Sequence, residues 1–488
     1  MEDIKIEMIK KAYRQKMTAC VMAAVATVNL TSCSDSYPGL EYSGNNSVIQ
    51  NEEAYDKTPI MVFINPQNFF SVVATRSGTG PFTDLENKKY EKSKFYVFAF
   101  RGTTEAQGPL AGKEIDLTKT RMYGEPKEDP DAAYCLVDGE DDYNYGFPAK
   151  LTPDYPGAFD FVKGKMTADG TNYLSQSLYY SHVYQEAGYN FFAYHIDNLD
   201  NTAIPHRGGN KNEISYDVTI DGTQDVMCGY APALTGEVLD SKQNISSMTK
   251  EERDQVLNIG LYSTFAAHRG VNPVVNLEHQ FVQLKFKAYP GDEESDRITI
   301  TGIDVKAPNR GTLVVANANP HEPSDNNAYR QIGYYPDPES LTDITLKDNP
   351  VENGGECAEF TPLDNLKWKP EYKGLSIKER PESGVDVGGS VMIPSPDSFG
   401  QEGYDITLRF RQKRIDNDGN ETDFGKELKA EYQVALSAGE FQRGKIYTIS
   451  IMVYGLKQIA VSANIDMWKD EDDPIEVDDD EPEISEIE

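Results

Sequence analysis

The sequence VVNLEHQFVQLKFKAY at residues 274–289 indicates the fold class most clearly. Apolar residues alternate with polar ones from Val275 onward, and they alternate again, in the opposite parity, from Val282 onward. Alternation with a period of two is typical of a β-strand that has one buried face. The change of parity predicts either a β-bulge near Phe281 or two strands in series.

The same kind of pattern recurs along the chain. Alternation or short apolar runs predict strands at residues 60–64, 69–74, 94–100, 189–195, 214–220, 225–230, 298–305, 313–315, 404–410, 446–454 and 458–468. The chain also contains 29 Tyr and 20 Phe, and aromatic residues favour strands. Residues 102–153 contain few apolar runs and are expected to be mostly loop. Many short strands separated by turn residues favour β-sandwiches over α/β layers.

One helix is predicted between the two sets of strands. Thr249 and Glu252 have the spacing of a capping box, which predicts a short helix that ends near Ile259. We therefore expect an all-β protein with two tandem β-sandwich domains. The predicted divisions are residues 1–32 as a signal peptide, 33–58 as a tether, 59–240 as the first sandwich, 241–272 as a connector, 273–469 as the second sandwich and 470–488 as an acidic tail.

The N-terminal leader has the order of a secretory signal. A basic patch precedes a charge-free apolar run at residues 17–30, which is shorter than the ~20 residues of a membrane-spanning helix. The run ends in LTSC at residues 30–33, which resembles the lipobox of bacterial lipoproteins. The resemblance implies that Cys33 carries a diacylglycerol and becomes the mature N-terminus, which would anchor the chain to a membrane. The alternative is a buried N-terminal helix with an incidental cysteine.

The composition and the spacing of reactive residues argue against several classes of function. The net charge of −33 disfavours nucleic acid as a partner, because phosphate binding needs clustered Lys and Arg. Cys135, Cys228 and Cys357 are far apart in sequence and give no disulfide framework, so they are three isolated thiols or one pair with a single thiol.

Catalytic and metal-binding motifs are not recognisable either. The six histidines have no metal-ligand spacing, and His279, which lies on a predicted strand, is expected to be packed. Residues 416–420 imitate part of a calcium loop, but their misplaced glycine favours a hairpin tip. No nucleophile elbow or phosphate loop occurs in the sequence. We expect no enzyme activity, no cofactor and no metal.

Several segments together resemble the fimbrillin family, the lipoprotein pilins of type V pili in the Bacteroidota. The resemblance lies in FQRGKIY at residues 441–447, SANIDMW at 462–468, LEHQFV at 277–282, DVM at 225–227 and KFYVFAF at 94–100, with Thr75 and Arg76 upstream of the last. It extends from the lipobox to about Asp470.

The resemblance implies a fold and an assembly mechanism. The fold is two transthyretin-like, Greek-key sandwiches. The precursor is exported to the outer membrane as a lipoprotein, and a trypsin-like protease cuts in a loop after the first strand, where Arg76 fits the cut position. A strand from another fimbrial subunit, identical or different, then replaces the removed strand. The alternative for Arg76 is an ordinary exposed loop residue.

Three questions stay open at the level of sequence. Ile475 and Val477 alternate in the acidic tail and could form the donor strand, but the charge density favours a solvated tail. The position as stalk, tip or anchor subunit is not fixed, although long loops favour an accessory or tip subunit. The competing function is a monomeric surface lipoprotein that binds a glycan or another ligand on a host or bacterial surface.

Overall fold

In a computed structural model of the chain, the described residues are 58–65, 94–101, 116–122, 132–135, 146–151, 158–163, 174–175, 178–180, 188–197, 212–241, 248–321, 329–349, 357–364, 366–415, 421–423, 426–436, 439–454, 459–466, 473–474 and 484–486. The predicted signal peptide, Cys33, the predicted strand at residues 69–74, Arg76 and most of the acidic tail lie outside them.

The protein is all-β, as the alternating patterns predict. Its first twelve described strands are β1 (Phe63–Ile64), β2 (Phe95–Arg101), β3 (Asp116–Met122), β4 (Ala132–Cys135), β5 (Phe147–Leu151), β6 (Phe159–Lys163), β7 (Leu174–Ser175), β8 (Tyr189–Ile196), β9 (Glu213–Thr219), β10 (Val226–Tyr230), β11 (Val274–His279) and β12 (Val282–Pro290).

The remaining described strands follow in the second half of the chain. They are β13 (Ile298–Pro308), β14 (Arg310–Asn317), β15 (Gly333–Pro336), β16 (Leu341–Thr345), β17 (Val385–Ile393), β18 (Gly403–Ile415), β19 (Glu421–Asp423), β20 (Leu428–Ala435), β21 (Ile446–Val453), β22 (Ile459–Asp466), β23 (Asp473–Pro474) and β24 (Ile484–Glu486). The α-helices described are α1 (Gly236–Asp240), α2 (Lys250–Ile259) and α3 (Thr264–Ala267). Short 3-10 helices lie at Glu293–Arg297, Pro338–Ser340, Pro370–Tyr372, Ile377–Glu379, Pro381–Ser383 and Pro396–Phe399.

The parity change in residues 274–289 separates two strands that belong to different sheets. β11 pairs with β10, whereas β12 pairs with β17 and β21. Between them the backbone N–H of Gln280 donates to the carbonyl of Val226. Of the two alternatives, the prediction of two strands in series is therefore confirmed.

The described strands form four sheets. One has ten strands in the order β1-β11-β10-β8-β2-β5-β6-β7, with β4 beside β2 and β3 beside β4. The others run β17-β12-β21-β22-β23, β16-β13-β18-β20-β24 with β19 beside β18, and β15-β14-β9. Two of these sheets join strands from both sides of the predicted connector, because β11 pairs with β10 and β14 pairs with β9. The division into two sandwiches stays a prediction.

The connector contains the predicted helix with its predicted cap. The side chain of Thr249 accepts from the backbone of Glu252, and the Glu252 carboxylate accepts from the backbone of Thr249. Gly260 ends α2 with a φ of 68°, a left-handed conformation that glycine adopts without strain. The helix α3 follows at once and leads to His268.

The region of residues 102–153, which is expected to be mostly loop, contains three described strands. That region contributes β3, β4 and β5 to the ten-stranded sheet. β5, with the sequence FPAKL, is buried at all five positions, although it includes a proline and a lysine. β3, with the sequence DLTKTRM, has too few apolar residues to give a strand signal.

The acidic tail also departs from the expectation of a fully solvated segment. β23 pairs antiparallel with β22, and β24 pairs antiparallel with β20. Residues 475–483 between them, which include Ile475 and Val477, lie outside the described part of the chain.

Substitution of Gly229 on β10 tests how closely β10 and β11 approach each other. A Cβ at Gly229 would lie 1.8 Å from the backbone carbonyl oxygen of Asn276 on β11, so Gly229→Ala must separate the two strands. We expect this substitution to lower the free energy of unfolding by at least ~2 kcal/mol in urea denaturation. The matched control is Gly236→Ala at the start of α1, where the nearest atom to a Cβ is 3.8 Å away and alanine favours the helix. Equal effects of the two substitutions would contradict the expectation.

Candidate functional site: the groove that holds the first strand

Residues 58–65, here called the first-strand segment, lie between two parts of the chain that are remote in sequence. On one side the segment runs parallel to β11, with Phe63 opposite Val274. The backbone N–H of Phe63 donates to the carbonyl of Pro273, and that of Asn65 donates to the carbonyl of Val275, each over 2.9 Å. The residues before and within β11 thus form one wall of a groove.

The opposite edge of the segment is hydrogen-bonded as well. Isolated bridges pair Pro59 with Tyr179 and Phe63 with Ala158. The backbone bonds on this side run from Ile60 N to Leu178 O (2.8 Å), from Phe159 N to Val62 O (2.9 Å) and from Tyr180 N to Thr58 O (3.0 Å). Residues 158–159 and 178–180 therefore form the second wall, and the segment is paired along both edges.

Side chains of the segment alternate between the protein core and its surface. Ile60, Val62 and Ile64 are 5%, 1% and 2% exposed, whereas Met61 and Phe63 are half-buried. Burial of each branched aliphatic side chain contributes about 1.5–3 kcal/mol. The groove therefore has three apolar subsites, spaced by two residues.

Polar contacts hold both ends of the segment. The hydroxyl of Thr58 lies 2.6 Å from Nε2 of His268, and the amide of Asn65 donates to the side-chain oxygen of Asn276 over 3.2 Å. Burial lowers the pKa of His268, and the positive charge of Arg269 lowers it further. The connector thus places a neutral imidazole at the start of the groove.

Non-covalent contacts hold the first-strand segment between its two walls. Its link to β2 is formed by residues 66–93, so a cut within that stretch would leave it held by non-covalent contacts alone. Its departure would leave backbone groups of both walls without partners, at a cost of about 1–3 kcal/mol for each buried group. An edge with unpaired backbone and alternate apolar subsites is the site that strand addition uses.

The sequence predicted part of this site. The prediction of a first strand at residues 60–64 agrees with β1 and its flanking bridges. Cys33 and Arg76 lie outside the described residues, so their predicted roles stay predictions. The contributions of His268 and Asn276 were missed, because no local pattern indicates contacts with residues more than 200 positions away.

A buried histidine–aspartate network joins the ends of the central strands. Nε2 of His195 lies 3.0 Å from Asp197, and Nδ1 of His279 lies 2.8 Å from Asp225. The backbone N–H of Asp225 donates to the Asp197 carboxylate over 3.0 Å. Against the effect of burial, the Asp197 carboxylate raises the pKa of His195, and His279 lowers the pKa of Asp225. His279 is packed, as predicted, and the network links the ends of β8, β10 and β11.

A separate cavity of about 690 Å³ lies where β11 meets loops of the second half. It is lined by Glu278, His279, Gln280, Tyr334, Pro394, Ser395, Asp397, Ser398, Glu440, Phe441, Gln442, Arg443 and Gly444. The rings of Tyr334 and Phe441 are 9% and 3% exposed, and each makes an edge-on contact with another aromatic ring. They therefore do not offer the open ring face on which a sugar stacks.

The described residues also bear on metal binding, thiols and membrane insertion. Among them, no group of three or more His, Cys, Asp or Glu side chains is arranged to hold a metal ion. Cys228 is a buried thiol, and Cys357 is half-buried. None of the helices that the structure describes has the length and the apolar composition to cross a membrane.

Comparison with known proteins gives structural neighbours alone. No family model and no curated protein matches the sequence. A protein from Bacteroides uniformis, named as a candidate cell adhesion protein, is 9% identical with a TM-score of 0.37, over 85% of this chain and 99% of its own. A similarly named protein from Bacteroides ovatus is 10% identical with a TM-score of 0.34, over 87% and 99%. The fimbrial anchor protein Mfa2 from Porphyromonas gingivalis is 11% identical with a TM-score of 0.24, over 83% and 97%.

The alternation of the first-strand segment leads to a stability prediction. In the uncut chain, Val62→Ala should lower the free energy of unfolding by ~1–3 kcal/mol, because it empties an apolar subsite of a side chain that is 1% exposed. Met61→Ala, one residue earlier on the half-buried face, should cost less than half as much. Urea denaturation of both variants measures the difference, and a larger loss for Met61→Ala would refute the assigned register.

Two histidines should give opposite pH dependences. The folded pKa of His268 is lowered, so its stabilising effect is complete above the unfolded value of 6.5 and is lost as the pH falls from there. The folded pKa of His195 is raised, so its contribution is complete below 6.5 and is lost as the pH rises. Relative to wild type, His268→Gln should therefore gain stability between pH 8 and pH 5.5, and His195→Gln should lose it. Urea midpoints at both pH values provide the measurement, and shifts of the same sign would contradict the prediction.

Proposed function

We propose that this chain is a structural or accessory subunit of a cell-surface fimbrium that contributes to adhesion. In this proposal the precursor is exported to the outer membrane as a lipoprotein on Cys33. Cleavage after Arg76 frees the first-strand segment, and a strand from another subunit takes its place. The observation that carries the proposal is the first-strand segment itself, which is paired along both edges and buries alternate side chains.

The position of Arg76 in the sequence supports this assignment. It lies between β1 and β2, so a cut there separates the first-strand segment and the lipidated cysteine from all later strands. The remaining chain would keep both walls of the groove, because these walls belong to residues 158–180 and 273–276. A single cut would thus create an acceptor site and release the subunit from its anchor.

Strand replacement in this geometry produces an open polymer. The groove accepts a strand from a second subunit, and that second subunit presents its own groove to a third. Contacts between two different surfaces that do not close into a ring generate a filament. Backbone hydrogen bonds supply affinity at each junction, and the three apolar subsites set the register.

The alternative is a monomeric surface lipoprotein that binds a glycan or a host ligand. Its candidate site is the cavity of about 690 Å³ at the end of β11, which carries carboxylates and Arg443. The buried rings at this cavity do not favour sugar stacking. The groove has a defined occupant, the first-strand segment, and this supports the fimbrial function more strongly than the cavity supports ligand binding.

Cleavage at Arg76 is tested with the isolated chain and a trypsin-like protease. We expect cleavage to yield an N-terminus at Ser77 by mass spectrometry, followed by ladders of polymers in unboiled electrophoresis samples. Arg76→Ala should remove both the new terminus and the ladders. Lys89→Ala is the matched control, because Lys89 is one of four lysines in the same stretch between β1 and β2.

The opposite result would have a clear meaning. If material sheared from the cell surface keeps a lipidated Cys33 throughout and forms no ladders, the strand-replacement function is wrong. The monomeric binding function would then become the better explanation.

A further inference from the structure

The buried histidine–aspartate network also contacts the start of β2. Nδ1 of His195 lies 2.7 Å from the backbone carbonyl oxygen of Lys94, and Nε2 of the same ring lies 3.0 Å from Oδ1 of Asp197. Lys94 directly precedes β2 and ends the stretch of chain that follows the first-strand segment and contains Arg76. The network therefore reaches the point at which this stretch joins the ten-stranded sheet.

Both partners of the His195 ring are hydrogen-bond acceptors. The carbonyl of Lys94 has no proton to donate, and neither has the carboxylate of Asp197 while it is ionised. A neutral imidazole carries one N–H and can donate to one of these partners, whereas an imidazolium donates to both. The two short distances therefore assign a proton to each ring nitrogen of His195.

The surroundings of Asp197 favour an ionised carboxylate. Oδ2 accepts the backbone N–H of Asp225 over 3.0 Å, and the backbone N–H of Asp197 donates to the carbonyl of Asp225 over 2.9 Å. A proton shared by a carboxylate and an imidazole stays on the imidazole, because carboxylic acids in water are stronger acids than imidazolium by ~2–3 orders of magnitude. His195 and Asp197 thus form a buried pair of opposite charges.

The titratable groups around His195 belong to three strand ends. Asp197 follows β8, and Asp225 precedes β10 and lies 2.8 Å from Nδ1 of His279 at the end of β11. The four side chains are 3–6% exposed. Burial alone would lower the pKa of His195, but the hydrogen bond and charge of Asp197, the carbonyl of Lys94 and the charge of Asp225 raise this pKa above its ordinary value.

The ring of His195 connects β2 to β8 beyond the point where their backbone pairing ends. In the described part of the chain, that pairing begins at Tyr96, which lies opposite Tyr194. The carbonyl of Lys94, two residues earlier, accepts from the His195 side chain. The ring of Phe95 packs against the same imidazole, with 5.3 Å between the ring centroids. The first residues of β2 are thus held to β8 through one imidazole.

We propose that His195 is a proton-dependent latch on the start of β2: its doubly protonated ring holds the carbonyl of Lys94 to β8, and loss of one proton releases it. After that loss the remaining N–H serves either Lys94 or Asp197, so one of the two hydrogen bonds is lost. The pKa of His195 is raised, so the closed state extends above pH 6.5 and is lost as the pH rises further. The latch acts in the uncut chain, so it is independent of the proposed fimbrial function.

Nitrogen NMR of the full, uncut chain with labelled histidine tests the protonation state. A doubly protonated ring gives two N–H nitrogens, whereas a neutral ring gives one protonated and one bare nitrogen. We expect the titration midpoint of His195 to lie at least ~1 pH unit above those of His268 and His321, because burial lowers the pKa of both of these residues. Substitution of each histidine by glutamine assigns the signals. A midpoint of His195 at or below the other two would overturn the proposal.

Amide hydrogen exchange of the wild-type chain measures whether the start of β2 is released. After correction for the intrinsic pH dependence of exchange, we expect the protection of residues 94–101 to fall at least ~5-fold from pH 6.5 to pH 9.5, since one hydrogen bond to β8 is lost. The protection of β21, which belongs to another sheet, should change less than ~2-fold. Equal losses in the two strands would indicate global destabilisation and would contradict a local latch.

Asp197→Asn removes the charge that keeps His195 doubly protonated and retains a side-chain oxygen. We expect it to lower the titration midpoint of His195 by at least ~1 pH unit and the protection of residues 94–101 at pH 7 by at least ~5-fold. Asp343→Asn, at an exposed carboxylate on β16, is the matched control and should change neither quantity. A lower midpoint without a change in protection would show that the latch is wrong. If Asp197→Asn does not fold, the wild-type titration and exchange decide the question.

Discussion

Hydrogen bonding along both edges of the first-strand segment is the constraint on which the rest of the site depends. A buried strand must find a partner for each backbone N–H and carbonyl, and here the two edges find theirs in different parts of the chain. Neither wall supplies both sets of partners by itself. The segment therefore joins residues 158–159 and 178–180 on one side to β11 on the other.

The connector does not only separate the two halves of the chain, because it also places a residue against the first-strand segment. β11 follows it directly and joins the sheet of the first half, while β9 of the first half joins β14 of the second. The capping box of α2 and the left-handed Gly260 fix the path of the chain toward α3 and His268. Because of these links, His268 in the connector contacts Thr58, the first residue of the first-strand segment.

Local sequence patterns predicted the elements of the fold but not their neighbours. An apolar run predicted β1, alternation predicted β11 and β12, and the spacing of Thr249 and Glu252 predicted α2, since these signals arise within a few residues of each other. β1 pairs with β11 because Phe63 lies opposite Val274, and the local sequence contains no signal that predicts this contact.

The predictions that were missed or incomplete, those for β5 and the acidic tail, have the same physical cause. β5 was missed because its burial is set by the sheet around it rather than by its own FPAKL sequence. The tail was expected in solvent because of its charge, yet β23 and β24 add to sheet edges through backbone bonds that do not depend on side-chain charge. In the candidate site, the apolar run at residues 60–64 predicted a strand, whereas the contacts of His268 and Asn276 required the tertiary structure.

The large negative charge places a condition on any assembly of copies. A net charge of −33 on each chain makes their approach unfavourable, and salt screens that repulsion beyond about 10 Å. Attraction must therefore come from short-range terms, which are apolar burial and backbone hydrogen bonds. The groove offers both, because the first-strand segment that fills it within one chain is already part of the hydrophobic core. An interface of this kind resembles a piece of the fold, so its dissociation would require the same loss of buried pairing that unfolding requires.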